Sequence, residues 1–233
     1  ARATNVVGAA VPEQGGVVVS FMKMNRILEI NARDFLAATE PGVITADLQK
    51  AVEAQGLFYP PDPASQAIST IGGNIATCAG GMRAVKYGVT REYVLGLEAV
   101  LPGGEVIHTG GRTHKNVVGL DLTRLLVGSE GTLGLITKAI LKLIPRPESS
   151  ASLLAGFPDL ESCMQGVAAV FGHGVLPTAM EFMGQEVLQC LRKVTTPPWP
   201  EDTVAALLLK LDGAESGLPA EMQRLEKVVR QSG

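Results

Sequence analysis

Residues 69–81 read Ser-Thr-Ile-Gly-Gly-Asn-Ile-Ala-Thr-Cys-Ala-Gly-Gly, and no other stretch of the chain says as much about its fold. Two Gly-Gly pairs, Gly72-Gly73 and Gly80-Gly81, bracket mostly small residues. Nothing bulky projects from such a segment, which reads as a loop, so its backbone N–H groups can be brought against a flat or anionic ligand. Thr70 and Asn74 add side-chain hydrogen bonds without adding size. An ordinary turn or bulge would account for one glycine pair. Two pairs this close favour a wall built for a cofactor.

A second glycine stretch, Gly128-Ser129-Glu130-Gly131-Thr132-Leu133-Gly134-Leu135-Ile136-Thr137, follows a short helical pattern. Its spacing matches neither a dinucleotide-binding G-x-G-x-x-G nor a G-x-x-x-x-G-K-[ST] phosphate loop. Taken alone it serves equally well as a helix end followed by a strand. Alongside the first stretch it gains weight as a second piece of the same site. Other residues say less. Asp62 lies between prolines in Pro60-Pro61-Asp62-Pro63, where a turn role is ordinary. Tyr87 could stack on a ring, His114 beside Lys115 suits a surface, and His173 falls in a helix-ending turn. Cys78 is small enough for the wall but has no partner thiol for redox work.

The composition sets outer limits. Of 233 residues, 46% are hydrophobic and 18% charged, enough to bury a core and too apolar for disorder. The net charge is −3, with no basic block or stripe, which argues against a nucleic-acid partner. No apolar run approaches the roughly 18 residues of a membrane span. Three cysteines, Cys78, Cys163 and Cys190, fit neither a disulfide framework nor a metal pair, and three scattered histidines offer no metal site. With no secretory leader in view, a reduced cytoplasmic setting is expected.

Along the chain, Val17–Phe21, Ile27–Ile30 and Phe35–Thr39 read as a meander of strands. Thr45 is placed to cap a helix carrying Leu48 and Val52. Val94–Leu101 and Val106–Thr109 flank Pro102-Gly103-Gly104-Glu105 as a hairpin. Asp121 caps a short helix ended by Gly128, and Leu133–Ile144 is a long strand region. Pro145-Arg146-Pro147 marks the boundary between a first domain, residues 1–147, and a second, residues 148–233. Beyond it, strand-like Leu153–Phe157, Val175–Met183 and Val204–Leu211 alternate with helical segments, the last over Pro219–Val229. Pro197-Pro198-Trp199-Pro200 forms a stiff loop. The pattern is a small α+β layer that reaches Gly233 without a closing strand.

Tyr59–Pro63, Thr70–Gly81, Tyr87–Thr90, Gly110–Asn116 and Gly128–Thr137 occur in the order and spacing of the vanillyl-alcohol-oxidase-type FAD-linked oxidases. Within that group the chain resembles the glycolate oxidase flavoprotein subunit and the D-lactate dehydrogenases. The resemblance implies an α+β fold: an FAD-binding lobe, the second of a two-lobe PCMH-type domain, followed by a partial cap domain. It implies FAD as cofactor, a small 2-hydroxy acid as substrate, and hydride transfer to the flavin, with an electron-accepting or missing-lobe subunit as partner. By the same resemblance Gly72, Gly73, Asn74, Ala76, Thr77, Gly80 and Gly81 line the cofactor, Pro60, Asp62 and Thr70 flank that wall, and Gly134 and Ile136 meet the adenine side. The family's phosphate loop, approximately G-G-G-T-x-x-x-G, corresponds here to Ala1-Arg2-Ala3-Thr4 and then Gly8. Cys78, Met82 and Leu120 also depart from the family's usual residues. No counterpart of the family's catalytic histidine is found, so no catalytic residue is assigned. A lobe before residue 1 and the end of the cap are expected to lie outside this chain, which on its own is expected to hold FAD weakly or not at all. The competing expectation is a degenerate flavoprotein-like module that binds no FAD and serves as a scaffold.

Overall fold

The structure, a computed structural model, describes residues 2–5, 7–8, 10–196 and 199–232. Along the chain come β1 (Ile27–Asn31), β2 (Leu36–Thr39), α1 (Thr45–Glu53), β3 (Leu57–Phe58), α2 (Ile71–Thr77) and α3 (Ala84–Tyr87). A 3-10 turn, Thr90–Tyr93, leads into β4 (Val94–Val100), β5 (Val106–Gly110), α4 (Leu122–Leu126), β6 (Leu135–Lys142) and β7 (Ile144–Pro145). Then follow β8 (Ser149–Phe157), α5 (Leu160–Gly172), β9 (Ala179–Met183), α6 (Gln185–Val194), β10 (Ala205–Gly213) and α7 (Leu218–Arg230). These elements form two compact units, Ala1–Gly81 with Gly88–Arg146, and Met82–Tyr87 with Pro147–Gly233. Sequence reasoning kept Met82–Tyr87 in the first domain; the structure places them in the second unit.

The first unit is built on an antiparallel sheet of order β1-β2-β6-β4-β5. β2 is buried along its whole length, which its sequence Leu-Ala-Ala-Thr permits because small side chains fit between flanking layers. β4 and β5 form the expected hairpin; Gly104, at φ +92°, closes a turn in which Leu101 N–H donates to the Glu105 carbonyl at 2.9 Å. Asp121 caps α4 as expected, its Oδ1 accepting from Arg124 N–H at 2.9 Å. Three expectations fail here. Val17–Phe21 forms no strand; Val17, Val18 and Val19 are exposed and find no sheet neighbour to stabilise an extended pairing. Thr45 opens α1 rather than capping it, and its hydroxyl turns to Ser69 instead. Residues 71–77 are a helix, not a loop.

The second unit is a three-stranded antiparallel sheet, β8-β10-β9, with helices packed on it. β10 is central, pairs on both edges, and is apolar almost throughout, as burial on both faces requires. α5 lays Cys163 and Val170 on Phe157 and Leu207. Gly166 permits the approach, since a β-carbon there would sit 3.0 Å from Phe157 Cζ. Asp159 Oδ1 caps α5 by accepting from Ser162 N–H at 2.7 Å, and His173 closes it, its ring Nδ1 2.8 Å from the Ala169 carbonyl. Of the stiff loop at 197–200, Pro197 and Pro198 lie outside the described residues. No described helix is long and apolar enough to cross a membrane.

Candidate cofactor site

Helix α2 is too short and too rich in glycine to hold on propensity, since each glycine costs about 1 kcal/mol relative to alanine. Tertiary contacts impose it. Ile71 and Ile75, one turn apart, are fully buried, and Thr70 Oγ1 accepts from Gly73 N–H at 3.2 Å to start the helix. Asn74 donates through Nδ2 to Thr45 Oγ1 at 2.7 Å, and that hydroxyl lies 2.9 Å from Ser69 Oγ, tying α2 to α1 and to the preceding turn. Ile71, Asn74 and Ile75 face inward, which leaves Gly72, Gly73, Ala76 and Thr77 for the other side. The result is a helix with a bare face.

Two clefts meet on that face. The larger, about 460 Å³, is lined by Thr70, Gly73, Asn74, Ala76, Thr77 and Gly80, with Arg2, Thr4, Ser65, Ser69 and Ala79 around them. The smaller, about 170 Å³, is lined by Gly72, Gly73, Ala76, Gly134 and Ile136, with Phe21, Pro41 and Leu135. Gly73, Ala76 and Glu130 line both. Hydroxyl side chains, Thr4, Ser65, Ser69, Thr70 and Thr77, edge the first cleft and none edges the second, while both are walled mostly by apolar surface. Helix and turn are joined through the backbone: Gly128 N–H donates to the Ile75 carbonyl at 2.9 Å, and Glu130 N–H to the Ala76 carbonyl at 2.8 Å. This bonding is what brings the two glycine stretches together. The turn is tightly wound, with Gly128, Glu130 and Gly131 all at positive φ.

Pro60, Asp62 and Gly81 line neither cleft. Pro60 and Asp62 are buried, and Gly81 packs on Asp62, where a β-carbon would come within 2.0 Å of the Asp62 carbonyl oxygen. Gly72 is needed in part for protein packing, because a β-carbon there would lie 2.5 Å from Pro41 Cβ. Gly134 similarly sits against the end of β4, 3.1 Å from the Val100 carbonyl oxygen by the same measure. Cys78 ends α2 in the left-handed conformation, φ +50°. Tyr87 does not serve as a stacking surface of these clefts; its hydroxyl is 3.0 Å from both carboxylate oxygens of Asp212 in the second unit. Glu130 was missed in the sequence. Its position follows from a backbone bond to Ala76, which no spacing rule reveals. Among the described residues no cluster of His, Cys, Asp or Glu is arranged for a metal ion.

The larger cleft falls in the roughly 300–1,000 Å³ range typical of cofactor sites. Two clefts sharing one glycine-and-alanine floor, the larger edged by hydroxyls and both walled mostly by apolar surface, suit an elongated ligand. Residues 1–110 match the model of an FAD binding domain, and residues 146–233 match that of the C-terminal domain of FAD linked oxidases. The chain belongs to the FAD-linked oxidases. FAD is the cofactor that both family models name, and curated relatives include glycolate oxidase subunits and D-lactate dehydrogenases. It is 46% identical to the glycolate oxidase subunit GlcD of Bacillus subtilis over 97% of this chain and 48% of that protein. It is 44% identical to a D-lactate dehydrogenase of Anaerostipes hadrus, over 99% of this chain and 50% of that one. A D-2-hydroxyglutarate dehydrogenase of Stutzerimonas stutzeri is 43% identical over 79% of this chain and 40% of its own length. The chain therefore spans about half the length of these relatives. In fold it matches a solved alkyldihydroxyacetonephosphate synthase at TM-score 0.84 and 23% identity, covering 100% of this chain and 47% of that one.

Proposed function

We propose that this chain supplies one wall of the FAD site of an oxidoreductase acting on a small 2-hydroxy acid. The observation that carries the reading is the junction of the two clefts over Gly73 and Ala76, where α2 offers backbone and methyl groups alone. Thr70, Thr77 and Ser65 offer hydroxyls to the polar middle of the cofactor, and the slot of Ile136, Gly134 and Pro41 receives its adenine end. When bound, FAD supplies the acceptor for the hydride that leaves the alcohol carbon. The residues of this chain bind and orient: a bare helix face lets the cofactor lie close, and the 128–131 turn closes one side. The substrate class rests on the relatives, whose glycolate, lactate and 2-hydroxyglutarate share one functional group, a hydroxyl beside a carboxylate. An electron-accepting subunit is the proposed partner, and the cytoplasm the proposed compartment, in keeping with three free cysteines.

The test uses the full-length gene product. Titration with FAD, followed by flavin fluorescence, should show saturable stoichiometric binding. Dye reduction should then depend on addition of glycolate, D-lactate or D-2-hydroxyglutarate. Absence of flavin binding would remove the cleft assignment, and flavin binding without reduction by any of the three would remove the substrate class.

A further inference from the structure

A third cleft, about 540 Å³, lies wholly within the first unit, and none of its lining residues lines the two clefts over α2. Unlike those two it is walled mostly by polar surface. Basic side chains reach it from five separate pieces of chain. Arg91 comes from the 3-10 turn, His108 from β5, His114 from the connection that follows, Arg124 from α4 and Lys142 from the end of β6. Like charges converging on one concavity repel one another, and the field they focus there attracts an anion.

The carboxylates lining the cleft are engaged elsewhere. Glu92 Oε2 accepts from Val89 N–H at 2.8 Å. Asp121 Oδ1 caps α4, and its Oδ2 lies 3.5 Å from Arg124 Nε in an exposed pair that water screens. Glu98 Oε2 stands 3.9 Å from His108 Nδ1 but does not line the cleft. Lys142 has no ion-pair partner among the described residues. Arg91 gives one of its five N–H groups to the Val127 carbonyl at 3.1 Å.

A second observation, independent of charge, points the same way. Thr109 and Thr123 line the cleft and are only 8% and 4% exposed. Thr123 Oγ1 donates to Thr109 Oγ1 at 2.9 Å. Two hydroxyls own two protons, and the bond between them uses one. The Thr109 proton finds no acceptor among the described residues. A buried donor of that kind favours a ligand that accepts.

We propose that this cleft binds a small anion carrying several oxygen acceptors, either a phosphate compound or a polycarboxylate. Its oxygens take the Thr109 proton at the wall and charge-assisted bonds from Arg91, Arg124 and Lys142 around it. The site is separate from the clefts over α2 and does not rest on reading those as the FAD site.

In the full-length gene product, pyrophosphate and citrate are each titrated by calorimetry at low ionic strength, with and without excess FAD. The wild type is compared with Arg124→Gln, Lys142→Gln and Thr109→Val, and with Lys50→Gln, an exposed lysine of α1 that does not line the cleft, as control. At least one of the anions should bind saturably, one per chain, in the presence of FAD, and the tighter of the two tells phosphate from carboxylate chemistry. Arg124→Gln and Lys142→Gln should each weaken that binding about tenfold or more, as should Thr109→Val, while Lys50→Gln leaves it unchanged. Where Thr109→Val fails to fold, the two charge variants carry the test, since neither side chain is buried. Failure of both anions to bind saturably would overturn the proposal, as would wild-type affinity in Arg124→Gln and Lys142→Gln. Equal weakening by Lys50→Gln would reduce the effect to net charge and overturn it too. Loss of anion binding on adding FAD would assign the anion to the cofactor's own cleft and overturn it equally.

Discussion

Gly81→Ala separates a glycine held by protein packing from one held open for a ligand. A β-carbon at position 81 would lie 2.0 Å from the Asp62 carbonyl oxygen and 2.4 Å from both Asp62 C and Oδ1. Ordinary contact begins near 3.4 Å, so the overlap with backbone is about 1.4 Å. Asp62 cannot retreat easily, because Pro61 and Pro63 on either side have φ locked by their rings, and all three residues are buried. Overpacking of this kind costs about 1–3 kcal/mol. Alanine recovers about 0.4–1 kcal/mol by restricting the unfolded chain, leaving a net loss near 2 kcal/mol when the clash is at the upper end. At about 2–4 °C per kcal/mol for a chain of this size, the melting temperature should fall by about 4–8 °C. Thermal unfolding followed by circular dichroism measures this directly. A melting temperature within a degree of wild type would refute the packing argument and return Gly81 to the cofactor wall.

Cys78→Asn or Cys78→Gly should raise stability by about 0.5–1 kcal/mol, because the left-handed conformation at φ +50° is strained for cysteine and tolerated by either replacement; an unchanged urea midpoint would contradict it. Glu40 accepts from Arg26 Nη2 at 2.7 Å, Nε at 3.1 Å and N–H at 2.8 Å. The side-chain bonds first, then the backbone one, hold its carboxyl below the ordinary value of 4.5. A carboxyl depressed on folding stabilises above its unfolded value, and that stabilisation is lost as the pH falls through the folded one. Stability should therefore be level above about pH 5 and drop in the acid limb, and Arg26→Met should flatten that limb; identical slopes for both proteins would sink the assignment.

Legibility in the sequence divided along a physical line. β10 and the β4–β5 hairpin could be read because burial on both faces and a Gly-Gly turn leave local marks. So could the cap at Asp121, which accepts a backbone N–H three residues on. Helix α2 was hidden because its glycines argue for a loop locally. The countersign was the i, i+4 pair Ile71 and Ile75, whose burial overrides propensity. The two glycine stretches were recognisable as separate pieces; their union depends on N–H groups of Gly128 and Glu130 meeting helix carbonyls, and backbone bonds leave no trace in residue type. The Lys86–Asp212 ion pair was equally invisible, since its partners are 126 residues apart.

The most direct test of the cleft assignment is Gly73→Val in the full-length gene product, read by FAD titration and by the melting temperature of the FAD-free protein. Gly73 lines both clefts and lies in a right-handed helix, where valine is no worse a helix former than glycine. Folding should therefore survive. A branched side chain in the floor shared by both clefts should weaken FAD binding by about tenfold to more than a hundredfold, the equivalent of about 1–3 kcal/mol of overpacking. A Gly73→Val protein that melts like wild type and has lost FAD is the result expected; one that melts like wild type and binds FAD with undiminished affinity would contradict the account.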